Sequence, residues 1–120
     1  MNTKIAILTR DGKVGDHIRH CKYYTIFSVS FGIIKKEEKF HLPEDCMNDA
    51  NIALMLSQKG VKVILIGNIW NDELEILTFH GIEVFYNCSG NVKDLISAYL
   101  NGELSNHEWK NKEISQTFKN

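Results

Sequence analysis

Lys4–Leu8, Tyr23–Phe31 and Val61–Ile66 are runs of apolar, mostly β-branched or aromatic residues, each closed by a polar or glycine-marked break. Runs of this length and composition predict strands: Lys4–Leu8 a central one, and Val61–Ile66, closed by Gly67, one buried on both faces. Ile33–Leu42 resumes after Gly32, so it forms a hairpin with the run before it. Its Lys35, Lys36, Glu37, Glu38 and Lys39 suit an exposed edge that must not pair with a neighbour. Pro43 breaks that strand, and Asp45 or Asn48 can cap a helix running through Lys59. Met47, Ala50, Ala53, Leu54 and Ser57 would give that helix a small-residue face.

The densest pattern lies between Val61 and Leu104. After Val61–Ile66, Asn71 offers an N-cap, Asp72, Glu73 and Glu75 load the first turns with negative charge, and Gly81 closes a helix. Ile82–Tyr86 predicts a further short strand. Asn91 can cap a last helix, whose Val92, Leu95, Ile96, Tyr99 and Leu100 make one apolar stripe, with Gly102 to end it. The predicted order is β-β-β-α-β-α-β-α, a five-stranded mixed sheet with helices on its faces. Asp11-Gly12 signals a turn, whereas Val14–Lys22 has no clean period and reads as a loop or a single helical turn.

This topology predicts where a ligand would sit. Strand, helix, strand and helix with tight connections imply parallel strands joined by right-handed crossovers. In open α/β sheets the binding crevice lies at the carboxyl ends of such strands. Gly67 and Asn68 follow one strand there, Cys88, Ser89 and Gly90 follow another, and both loops lead into helix N-termini, which favour anions. The loop after the first strand adds Thr9, Arg10, Asp16, His17, His20 and Cys21.

Composition narrows the class. The 120 residues predict one domain over 1–104 and a polar tail over 105–120, in which Trp109, Ile114 and Phe118 are isolated apolar positions. A formal net charge of −1 supplies no field for nucleic acid or an acidic membrane. No secretory leader and no transmembrane run is read, so a cytoplasmic location is expected. Cys21, Cys46 and Cys88 are odd in number and form no CxxC pair, which argues against a disulfide framework.

Candidate chemistry concentrates in His17-x-x-His20-Cys21, where imidazole and thiol would share one face of a helical turn. Such ligands suit zinc, iron, copper or a metal–sulfur cluster, although neighbouring His and Cys more often bind nothing. Cys88 has two readings: a small core residue, or a thiolate activated by the helix behind it. No catalytic residue is expected. Ser89-Gly90 lacks the flanks of a nucleophile elbow, the chain has neither a P-loop nor GxGxxG, and Asp11 and Asp16 lack the partners a two-metal nuclease needs.

The segment GVKVILIGNIWNDELEILTFHGIEVFYNCSGNVKDLISAYLNGEL resembles the dinitrogenase iron–molybdenum cofactor biosynthesis family. Gly67-Asn68-Ile69, Gly81–Tyr86, Ser89-Gly90-Asn91-Val92 and Ala98–Leu104 match that family's frame, and KIAILTRDG and VGDHIRHCKYYTIFSV align at the start. The resemblance implies a three-layer α/β/α ribonuclease-H-like domain without nuclease chemistry. It also implies an iron–sulfur or molybdenum-containing cluster, bound transiently and passed to an assembly or acceptor protein. The family's histidine before Phe-Gly falls on His17. The resulting expectation is a metal site of His17 with Cys21 and Cys88, and a binding rim of Thr9, Arg10, His17, Gly67, Asn68, Ser89 and Gly90. Ile18-Arg19 replaces Phe-Gly, Trp70 stands where glycine is usual, and HLPEDCMND replaces a glycine-rich segment. The rival reading is an enzyme or sensor that binds a small anionic metabolite at the same edge; a third is a scaffold domain using its edge strand or tail.

Overall fold

The computed structural model describes residues 2–42 and 48–104. Six strands, β1 (Asn2–Arg10), β2 (Lys13–Val14), β3 (Tyr23–Ser30), β4 (Ile33–His41), β5 (Val61–Leu65) and β6 (Glu83–Phe85), form one mixed sheet. Three helices, α1 (Asp49–Gln58), α2 (Asn71–Phe79) and α3 (Val92–Leu100), complete it, and a 3-10 turn spans Ile18–His20. The strand order is β4-β3-β1-β5-β6, with β2 paired to β1 alone. β5 runs parallel to β1 and β6, while β3 runs antiparallel to β1 and β4.

Alternation along the central strands divides the core into two layers. Ala6, Leu8, Tyr24, Ile26, Ile64 and Ile66 pack with Ile52, Ala53 and Leu56 of α1 and Leu77 of α2. Ile5, Ile7, Phe27, Val29, Val63 and Leu65 face the other way, against Leu95 and Ile96 of α3. Two helices therefore cover one face and a single helix the other. The expected mixed three-layer arrangement is present, and β4 is the edge strand its charges foretold.

The strand count differs from the expected five. Asp11 and Gly12 both take positive φ, 55° and 80°, the conformation of a two-residue hairpin turn, so the chain folds straight back and pairs Arg10 with Lys13. The extra strand is two residues long, too short to show a period. A second such turn, Phe31-Gly32, joins β3 to β4. In α1 the buried face is Asp49, Ile52, Ala53 and Leu56 rather than the small-residue face, and Leu54 is exposed. Asn48 caps this helix by accepting the Asn51 N–H at 2.8 Å. Pro43, Asp45, Cys46, Met47 and the tail 105–120 lie outside the described residues.

Candidate functional site

Three loops meet at the carboxyl end of β1, β5 and β6, and backbone hydrogen bonds tie them together. Gly67 N–H donates to Gly15 O at 2.8 Å, and His17 N–H donates to Asn68 O at 2.8 Å. Asn87 N–H reaches Gly67 O at 3.0 Å, and Val14 N–H reaches Gly90 O at 3.0 Å. The approach is close because Gly67 has no side chain: a Cβ there would collide with the Asp16 carboxylate. Asp16 itself accepts the Asn68 N–H at 2.7 Å.

The hub of the rim is Glu73, fully buried at the start of α2. One carboxylate oxygen accepts the Ile18 N–H at 2.9 Å. The other accepts the Trp70 N–H at 2.9 Å and lies 3.2 Å from His17 Nδ1. Trp70, not Asn71, occupies the N-cap position, and its indole has no oxygen to offer the helix. Glu73 therefore supplies the reciprocal half of a capping box while also anchoring the His17 loop.

His17 is held in an uncommon backbone conformation, φ 53° and ψ 118°. For a residue with a Cβ this costs free energy, which surrounding contacts must offset. They are its N–H bond to Asn68, the Glu73 contact and a ring stack on Trp70, with centroids 3.7 Å apart and planes 18° from parallel. His20 meets the same indole edge-on at 5.6 Å and lies 5.5 Å from His17, ring centre to ring centre. With Nδ1 turned to Glu73, Nε2 is the His17 nitrogen left for a ligand.

Arg10, Asp11, Lys13, Val14, Gly15, Asp16, His17 and His20 enclose an open hollow of about 500 Å³. Its two cations face two carboxylates, one of which is already engaged by Asn68. Arg10 and His17 thus line the same hollow. Gly67 and Asn68 sit beside it, but their N–H groups are committed to Gly15 and Asp16, so they hold the loop rather than face a ligand. Ser89 and Gly90 are exposed at the adjoining turn, with Gly90 bonded to Val14. Thr9 is buried, donates its hydroxyl to Tyr23 O at 3.2 Å and borders a different hollow on the α3 side.

Cys21 and Cys88 occupy opposite core layers. Cys21 lies beneath the His17 loop, its thiol directed at the carbonyls of Asp16 and His17 at 3.7 and 3.6 Å. Burial, reinforced by the charges of Asp16 and Glu73, pushes this thiol up to about 12, with Arg10 opposing. Cys88 is buried with Ile5, Ile7 and Leu95 on the α3 face. Arg19 does not enter the hollow; its Nε lies 3.1 Å from Asp49 Oδ1 and pins the loop to the start of α1. Burial and then Glu73 raise the Asp49 carboxyl above its ordinary value, while Arg19 works the other way. Among the described residues, no group of three His, Cys, Asp or Glu side chains is arranged to hold a metal ion.

Sequence reasoning did not place Glu73, Trp70, Asp11, Lys13, Val14 or Gly15 at the site. A glutamate three positions into a helix is the signature of a capping box, and it marked Glu73 only as helix-start charge. Nothing local signals that Trp70 stacks on His17.

A profile of the family described as dinitrogenase iron-molybdenum cofactor matches residues 1–102. Among solved structures, a candidate dinitrogenase from Methanocaldococcus jannaschii is 24% identical with a TM-score of 0.69, the match covering 88% of this chain and 94% of that one. A candidate NifB protein from Thermotoga is 22% identical with a TM-score of 0.67, covering 85% and 90%. The apo orange protein of Desulfovibrio gigas is 18% identical with a TM-score of 0.67, also covering 85% and 90%. At these identities the likeness establishes a shared fold. No functionally curated protein matches the sequence.

Proposed function

Because the chain belongs to the dinitrogenase iron–molybdenum cofactor family, we propose that it carries a metal–sulfur cluster, iron–sulfur or molybdenum-containing, or a precursor of one, during metallocofactor assembly. The scaffold is read as ribonuclease-H-like and the role as that of a cytoplasmic carrier rather than a catalyst. An assembly or acceptor protein would receive the cargo. The observation that carries this reading is the tethering of three loops at one rim, with His17 fixed by Glu73 over a hollow shared with Arg10 and Lys13.

In this reading His17 Nε2 is the ligand. Arg10 and Lys13 offset the Asp11 and Asp16 carboxylates, so the hollow does not repel the negative charge of a sulfide-rich cluster, an effect that added salt weakens. Gly67 and Asn68 act by position, holding the loop that carries His17, and the exposed Ser89-Gly90 turn borders the approach. Cys21 and Cys88 pack the layers above and below the rim. Their buried thiols would have to leave the core to reach a metal, so the attachment is through imidazole.

Anaerobic reconstitution with iron and sulfide, or with tetrathiomolybdate, followed by visible absorption of the desalted protein, tests the proposal. Wild type should retain a chromophore that His17→Ala loses. Equal retention by both removes His17 from the account. Arg10 and Lys13 also favour a second reading, a small anionic metabolite in the same hollow. A thermal-shift panel of phosphorylated and carboxylated compounds without a hit sets that reading aside.

A further inference from the structure

We propose that His20 joins His17 in a two-imidazole seat for a single metal centre, of the borderline class that includes zinc, copper and iron. The inference rests on the carrier reading for its biological purpose, but its chemistry stands on the two rings. Both line the hollow of about 500 Å³, and both are braced against the Trp70 indole, one stacked and one edge-on. His20 is exposed, so its ring can turn toward a ligand without unpacking the core.

The spacing of the rings admits sharing. A metal about 2.0–2.1 Å from an imidazole nitrogen lies about 3.2 Å from the ring centre. Two centres 5.5 Å apart would subtend about 120° at a shared metal once His20, whose plane now lies 79° from that of His17, turns a nitrogen toward it, an angle a three- or four-coordinate ion accepts. Glu73 completes the arrangement from behind: a carboxylate on the second ring nitrogen fixes the tautomer and makes the ligating nitrogen more basic. The buried thiols of Cys21 and Cys88 lie outside the hollow. The chain therefore contributes two nitrogens, and the cargo's own sulfides or water fill the remaining positions. A centre held at two points keeps open positions through which an acceptor can take it.

The test uses the full chain and zinc(II) alone, titrated by calorimetry and followed by the ring-nitrogen resonances of the histidines. One equivalent should shift His17 and His20, leaving His41, His80 and His107 in place. His17→Gln and His20→Gln should each weaken zinc binding at least about tenfold, and the double variant should bind no better than either single one. An unchanged amide spectrum for His20→Gln shows that the fold survives. Zinc binding by His20→Gln at wild-type strength, or shifts confined to other histidines, overturns the seat. The carrier reading fails separately. Zinc bound by both rings without any cluster uptake sinks the carrier and spares the seat, whereas cluster uptake indifferent to His20→Gln sinks the seat alone.

Discussion

Glu73 concentrates three jobs in one carboxylate. It satisfies the Trp70 amide at the head of α2, satisfies the buried Ile18 amide across the loop, and orients His17. Hydrogen bonds to a charged acceptor contribute more than neutral ones, and deleting the acceptor leaves buried donors without partners. Glu73→Ala should therefore lower the unfolding free energy by about 3 kcal/mol, read from urea denaturation. A loss below about 0.5 kcal/mol would mean that water replaces the carboxylate freely.

Cys21 gives a prediction of a different sign. Its thiol is held near 12 in the folded chain against an ordinary value of 9.0, so the unfolded chain loses this proton first as pH rises. Stability contributed by the neutral thiol is complete below about 9 and declines as pH rises toward about 12. The slope approaches about 1.4 kcal/mol per pH unit inside that window. Cys21→Ala should remove this component of the alkaline decline, which a comparison of the two unfolding curves across the window measures. Parallel curves would show that the thiol ionises as easily folded as unfolded.

Among the elements, the loops matter more than the strands that carry them. The β5–α2 and β2–β3 connections approach through Gly67, where a methyl group would meet the Asp16 carboxylate. Gly67→Ala should cost about 1–3 kcal/mol and weaken cargo retention together with stability, because the bonds Gly67–Gly15 and Asn68–Asp16 would separate. Chemical denaturation reads the first effect and reconstitution the second. At the head of α3, Asn91 accepts the Asp94 N–H at 2.8 Å, and Asn91→Ala should cost about 1 kcal/mol while leaving His17 undisturbed.

Elements whose signals are local were legible from the sequence. The caps Asn48 and Asn91, the stripe on α3, the charged edge β4 and the turn at Asp11-Gly12 each depend on neighbours within a few residues. Elements and contacts decided across the fold were not. β2 exists because β1 is beside it, Trp70 takes the cap position because Glu73 reaches back, and the buried side of α1 is set by the sheet beneath it. The site divides the same way: His17 and Arg10 follow from loop position, whereas the contacts of His17 with Glu73 and Trp70 join residues more than 50 positions apart.

At the scale of the whole molecule, the sheet keeps its charged strand at the border and its tethered loops at one end. β4 carries Lys36 and Glu38 on one side of the strand and Glu37 and Lys39 on the other, so an incoming strand meets charge on both faces. Replacing Lys36 and Glu38 together with isoleucine should raise the sedimentation coefficient with concentration, relative to the unmodified chain. No such rise would show that charge is not what keeps this edge unpaired. None of the helices among the described residues is long and apolar enough to cross a membrane.

The central claim is that the rim attaches its cargo through imidazole nitrogen. X-ray absorption at the iron or molybdenum edge of the anaerobically reconstituted, desalted chain examines that bond itself. The account predicts nitrogen scatterers in the metal's first shell, with the outer-shell pattern of an imidazole ring, lost in His17→Ala. A shell of sulfur alone in the wild-type chain, or no retained metal at all, would contradict it.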